Sequence, residues 1–405
     1  MFGNTSDSSR TLGLCLESQV RRASRACRCS RRAVPPMSMN RRVWMYLAGL
    51  AVASLGLTSL LFKQFGSGVT TGAQLLALAS VFQEVVGVDP GQGLQSEENQ
   101  HLPSCSLRAG ISSAGWQFNF SVPVFQWNAS FSQSEWDRLS GIHPPYGWHG
   151  VPYDDVHGAL ELLPGVCGSA FERSSKECVS CAVVGNGGIL RGSKQGSNID
   201  KHTHVFRVNG AITAGFEEDV GNRTSFYGFT TNTMKNSLRA YSRYGFKQTP
   251  QSPEVKYVFI PSQMRDYVML RAAMLRTPIP HGKDVRDRPS RYFGPKPAAE
   301  KFRMLHPDFI TYIVQRFLKS HLLKTKFSQL YMPSTGALML FTAIHTCDKV
   351  SAYGFITGNY ASFSEHYYDD HKRPLKFFAN HDLKMEARLW KSLHTQGVIT
   401  LYQRD

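Results

Sequence analysis

Two kinds of apolar pattern divide the chain. From Val43 to Phe62 twenty successive residues, VWMYLAGLAVASLGLTSLLF, carry no charge. At 1.5 Å per residue they make about 30 Å of helix, enough to cross a bilayer core. Later the apolar runs are short, β-branched and broken by Gly or Asn, the signature of strands. Such runs lie at Ala182–Val184, Val205–Gly210, Ser225–Phe229, Lys256–Ile260, Val350–Phe355 and Val398–Tyr402. Between them stand helical spacings. Phe302, Leu305, Phe309, Ile313 and Phe317 predict a helix over Ala298–Lys319, interrupted at His306-Pro307. Ala337–Thr346 predicts another, entered through Ser334-Thr335-Gly336, and Asp382 can cap a helix beginning at Leu383. Strands alternating with helices imply an α/β fold with a mostly parallel sheet covered on both faces.

The flanks of the uncharged run set its direction. Arg41 and Arg42 precede it and only Lys63 follows, so residues 1–42 should stay cytosolic and the C-terminal bulk should be luminal. A cleaved signal peptide is the alternative, but the run is long for one and no small-x-small site follows at once. The tail holds nine Lys/Arg and two Asp/Glu and reads as solvated; Met37 and Met39 offer later starts that would nearly remove it. Residues 63–104, Gly/Gln/Ser/Val-rich, read as a stem, and 105–405 as the luminal domain. The formal charge is +16, and subtracting the tail's +7 leaves +9. That excess suits anionic ligands; without a dense basic patch interleaved with aromatics, nucleic acid is not indicated. Asn119, Asn128 and Asn222 head sequons on the luminal side.

The stretch Cys178–Thr230 gives the first chemistry. A strand ends in Gly185-Asn186-Gly187-Gly188, and a second strand ends at Asn209-Gly210. The glycines would let backbone approach a phosphate or sugar. A dinucleotide fingerprint fails, because Leu190 stands where a small residue belongs and Asn209 where a ribose-binding acid is expected. Two amides at two strand ends suit a nucleotide with few negative charges. Cys178-x-x-Cys181 has no second Cys or His pair to complete a metal site, and an oxidising compartment favours structural bridges.

This block resembles the large sialylmotif of the eukaryotic sialyltransferases. Pro333–Gly336 through Gly354-Phe355 resembles the small motif, His366-Tyr367-Tyr368-Asp369 motif III, and His381 with Glu386 the very small motif. Within that family the chain is most similar to the alpha-N-acetylgalactosaminide alpha-2,6-sialyltransferases, from about Trp116 to the C-terminus. The resemblance implies a glycosyltransferase-A-like, modified Rossmann fold behind a type II Golgi anchor. It implies CMP-sialic acid as donor, held by Asn186, Asn209, Ser334, Thr335 and Gly336. O-glycosylated glycoproteins are the implied acceptors. His381 would be the base and His366 the partner of the leaving phosphate, with Glu386 orienting and Tyr367 and Tyr368 shaping the wall. It implies a Cys181–Cys347 bridge, closing a loop worth roughly 5 kcal/mol by chain entropy. Cys105–Cys178 is the second expected pair, and Cys167 is left unassigned. No D-x-D occurs, and a monophosphate leaving group has less charge to neutralise, so no metal or other cofactor is expected. Two alternatives stand: a sialyltransferase acting on galactose or glycolipid, and a catalytically idle sugar-binding membrane protein.

Overall fold

The structure, a computed structural model, describes residues 117–165, 178–326 and 328–405. The basic tail, the run 43–62, the stem, Cys105 and Cys167 lie outside the described residues. Among the described residues no helix is long and apolar enough to cross a membrane.

Seven strands form one parallel sheet: β1 (Ser180–Val184), β2 (His204–Val208), β3 (Phe226–Phe229), β4 (Lys256–Phe259), β5 (Phe302–Met304), β6 (Lys349–Tyr353) and β7 (Thr400–Leu401). Their spatial order is β5-β4-β3-β2-β1-β6-β7. In register, Val183 of β1 sits between Phe206 of β2 and Ala352 of β6. The period-two alternation of strands explains why both faces are buried. Ala182 and Val184 join one apolar cluster, Cys181 and Val183 the other. The first face packs against helices α1 (Tyr153–Leu160), α2 (Thr231–Ala240) and α3 (Met264–Leu275); the second packs against α4 (Pro307–Arg316), α5 (Thr335–Thr346) and α6 (Leu383–Thr395).

Helix α5 lies closest to the sheet, and eleven of its twelve residues are buried. Gly228 in β3 makes room for it, since a Cβ there would stand 2.4 Å from the Met339 sulfur. Each large aliphatic side chain buried on such a helix contributes about 1.5–3 kcal/mol. Ala337, Leu338, Met339, Leu340 and Ala343 are good helix formers, and the burial offsets the weaker helix propensity of Phe341, Thr342 and Ile344.

The predicted helix over Ala298–Lys319 is only half right. Ala299–Lys301 make one 3₁₀ turn, and Phe302–Met304 are strand β5, paired with Tyr257–Phe259 of β4. Helix begins at Pro307, whose fixed φ suits a first helical position, and the His306 imidazole caps it by accepting the Asp308 N–H. The helical spacing of Phe302 and Leu305 was overridden by pairing at the open edge of β4. The terminal strand is also shorter than its apolar run suggests.

Cys181 of β1 is bonded to Cys347, the residue capping the C-terminal end of α5, with Cα atoms 6.1 Å apart and 166 positions between them in sequence. Cys178 is disulfide-bonded too. The sequon residues Asn119, Asn128 and Asn222 are exposed. Replacing Cys181 and Cys347 together by Ala should lower unfolding free energy by about 2–5 kcal/mol in denaturant titrations. A shift below about 1 kcal/mol would mean that α5 is anchored by packing alone.

Candidate active site

Strand order reverses between β1 and β6, and in open parallel sheets ligands bind beyond the carboxyl ends of strands at such a point. A cavity of about 710 Å³ opens there. Its lining takes Gly185–Gly187 from the end of β1, Asn209 from β2, Thr230 from β3, Ser262 and Gln263 from β4, and Gly354 and Phe355 from β6. Small-molecule pockets run from roughly 300 to 1,000 Å³.

The glycines after β1 line the cavity at Gly185 and Gly187, and they also meet neighbouring backbone closely. A Cβ at Gly185 or Gly187 would stand 2.7 or 2.6 Å from the carbonyl oxygen of Gly354, and at Gly188 2.2 Å from that of Ser364. They let the ends of β1 and β6 and the motif III loop close on one another. Two of those contacts are hydrogen bonds, from Gly187 N to Gly354 O and from Gly188 N to Ser364 O.

The two strand-end asparagines are brought together on this wall. Asn186 donates its amide to the carbonyl of Val208, next to Asn209, at 3.1 Å. Asn209 adopts the left-handed conformation, φ +50°, which asparagine tolerates better than most residues. The side-chain oxygens of both are buried and have no hydrogen-bond partner among the described residues. Two acceptors held in this way call for N–H or O–H donors on a ligand, as a base or ribose offers.

Across the cavity, Ser334 caps α5. Its hydroxyl accepts the Ala337 N–H at 3.0 Å and donates to Glu386 at 2.6 Å, while its own N–H donates to the other Glu386 oxygen at 2.9 Å. The Ser334 hydroxyl is therefore committed to the cap. What faces a ligand is the N-terminal end of α5, with Thr335 and Gly336 on the lining. Glu386 lies one turn into α6. Burial pushes its carboxyl up to about 7, although the hydrogen bonds from Ser334 oppose the rise. The two hydrogen bonds tie it to Ser334.

His381 stands beside the N-cap of α6, where Asp382 accepts the Met385 N–H. Its Nδ1 lies 2.7 Å from the carbonyl oxygen of Met332. A carbonyl only accepts, so Nδ1 carries the hydrogen and Nε2 presents a lone pair. The Asn380 amide is 3.3 Å from Nε2. Burial holds this imidazole below the ordinary histidine range, against the opposing effect of the Met332 carbonyl. Held neutral in this way, the ring can accept a proton at Nε2.

His366 lines the same cavity. Its backbone N–H bonds Asp369 at 2.8 Å, and its ring stacks on Tyr368 with centroids 4.9 Å apart. Burial lowers its pKa while Glu365 and Asp369 oppose. Tyr367 and Tyr368 do not shape the wall. Both are buried behind it, Tyr367 donating its hydroxyl to Ile212 O and its N–H to Asn186 O at 3.1 Å. Their place in motif III fastens it to the asparagine loop. Every expected donor and catalytic position lines the cavity, and Glu386 with them.

Asn232 and Asn236 of α2 were not anticipated as site residues. Both line the cavity, and their i, i+4 spacing was the available signal that they share a helix face. The Asn232 oxygen accepts from Arg265 at 3.1 Å, which leaves its NH₂ free to face outward. Among the described residues Lys376 is the only lysine or arginine on the lining.

The pattern for glycosyltransferase family 29 (sialyltransferase) matches residues 125–398. Alpha-N-acetylgalactosaminide alpha-2,6-sialyltransferase 2 of Mus musculus is 56% identical over 291 residues, 71% of this chain and 78% of that protein. The Homo sapiens protein of the same name gives the same figures. Alpha-N-acetylgalactosaminide alpha-2,6-sialyltransferase 1 of Gallus gallus is 41% identical over 318 residues, 74% of this chain and 55% of that protein. A solved mammalian sialyltransferase is 23% identical, covers 76% of this chain and 96% of its own, and superposes with a TM-score of 0.52, a likeness of fold.

The raised Glu386 pKa has a sign that can be checked. Its folded value of about 7 exceeds the roughly 4.3 of an unfolded glutamate. The group therefore favours the folded state fully below its unfolded value and loses that contribution as pH climbs through about 7. Relative to Glu386→Gln, the wild-type protein should lose up to roughly 3 kcal/mol of stability between about pH 5 and pH 8 in paired urea titrations. Equal pH slopes for the two proteins would remove the buried carboxylate from the account.

Proposed function

The chain belongs to glycosyltransferase family 29, the sialyltransferases, and from that membership we propose that it transfers sialic acid from CMP-sialic acid to the 6-hydroxyl of GalNAc linked to Ser or Thr of glycoproteins. The choice of acceptor and linkage is supported by the 56% identity to relatives that bear that activity in their names. Residues 1–42 would lie in the cytosol, 43–62 in the Golgi membrane, 63–104 in a stem and 105–405 in the lumen. The three exposed sequon asparagines would then be open to glycosylation.

The observation that carries the chemistry is the hydrogen bond from His381 Nδ1 to Met332 O, because it commits Nε2 to accepting a proton. Nε2 takes the hydrogen of the acceptor O6. That oxygen forms a bond to C2 of sialic acid, the C2–O bond to phosphate breaks, and CMP leaves with the electron pair. Attack opposite the leaving group inverts the anomeric centre. His366 bonds or protonates the departing phosphate. The orphaned oxygens of Asn186 and Asn209 receive donors of the nucleoside, and the N-terminal end of α5 receives negative charge. A monophosphate needs no metal clamp, so turnover should be indifferent to EDTA.

Incubating the full-length protein with CMP-sialic acid and a GalNAc-α-Thr glycopeptide, with and without EDTA, should give an alpha-2,6-linked product identifiable by NMR. No product on this peptide, with sialylation of a galactose-terminated acceptor assayed beside it, would reassign the acceptor. His381→Ala should lower kcat by about 10²–10⁴ while CMP still protects the variant from thermal unfolding. In the wild-type protein the acid limb of kcat/KM should have its midpoint below about 6.5, since burial lowers the imidazole. Retention of full activity by His381→Ala would hand the role of base to another group.

A further inference from the structure

Among the described residues the two most exposed large apolar side chains are Leu330, at 58%, and Phe378, at 57%. Both stand on the wall of the active-site cavity. They come from the two segments that hold the base. Met332 N donates to Asn380 O at 3.0 Å, Met332 O accepts from His381 Nδ1, and His381 N donates to Phe378 O at 3.1 Å. Phe377, also exposed, adjoins them, and Pro144 and Pro145 add apolar surface to the same lining. Leu275 and Val285 are exposed as well, yet neither lines the cavity. Single exposed apolar residues are ordinary, but two that flank a catalytic base call for a ligand.

We propose that Leu330 and Phe378 form a subsite for the polypeptide that carries the acceptor sugar, an apolar, proline-rich stretch flanking the glycosylated Ser or Thr. The inference rests on the function proposed above. With O6 of the sugar at His381 Nε2, the aglycone leaves from the same pyranose ring, one sugar's span from the base. The chain that leaves there must pass the lip on which these two side chains sit. O-glycosylated stalks are rich in Ser, Thr and Pro. Proline-rich backbone is extended before it binds, loses little entropy and docks readily on aromatic surfaces. A lipid chain would need a larger continuous apolar area than two side chains on a lining that also carries Lys376 and Asn380.

The test compares methyl α-GalNAc with the same sugar on a proline-rich peptide, using full-length wild-type protein, Leu330→Ala/Phe378→Ala and the remote control Leu275→Ala/Val285→Ala. The lip variant should lose about tenfold or more in kcat/KM on the glycopeptide, through KM, and stay within about twofold of wild type on the methyl glycoside. The control pair should match wild type on both acceptors. Equal losses on both acceptors, or no loss on the glycopeptide, overturns the subsite. Leu330→Ser and Phe378→Tyr, assayed singly with CMP protection against unfolding as the folding check, keep the comparison valid if the double variant misfolds. A wild-type protein that sialylates neither acceptor refutes the function on which the subsite rests. One that uses both with equal kcat/KM refutes the subsite alone.

Discussion

The carboxylate of Glu386 is the contact on which the site depends. It is buried, and it is held by two hydrogen bonds from a single residue, Ser334. Burial is the stronger influence, as its raised pKa records, so the arrangement costs stability when the group is ionised. What it provides is position. Ser334 starts the helix whose N-terminal end faces the cavity, and Glu386 sits in the first turn of the helix that follows His381. One carboxylate therefore ties the N-terminal end of α5 to the segment that carries the His381 imidazole. Removing it would leave Ser334 N–H without its acceptor and both helix ends free to drift.

The electrostatic character of the cavity follows from the same economy of charge. Residues 43–405 are formally basic, but among the described residues the lining offers one lysine, with neutral amides, hydroxyls and a helix end beside its histidines and glutamates. Fixed dipoles need no reorganisation when charge develops on a leaving group, and they are stronger where water is thinned. The basic excess lies elsewhere on the molecule and acts at longer range on anionic ligands.

Much of this was legible in the sequence. The strand ends at Gly185 and Asn209, the N-cap at Ser334 and the helix after Asp382 each follow from local rules of turns, caps and alternation. The sequence could not show that Met332 O would meet His381 Nδ1 across 49 positions, because that contact is made by two irregular segments with no period to read. Phe302–Met304 was misread because its apolar spacing fits a helix as well as a strand, and only the open edge of β4 decides between them. The sequence shows that the glycines allow close approach; that the carbonyls of Gly354 and Ser364 are among their neighbours is known only once β6 is placed beside β1. Tyr367 was assigned to the wall because its motif lies there, yet its ring points into the core.

Asn209 answers to two demands at once, and few side chains meet both. Its left-handed backbone narrows the choice to glycine, asparagine or aspartate at little strain. Glycine would surrender the buried side-chain oxygen; aspartate would keep it but put a charge where that oxygen has no partner among the described residues. The position is constrained from both directions, so changes in what the cavity admits must arise at other points of its lining.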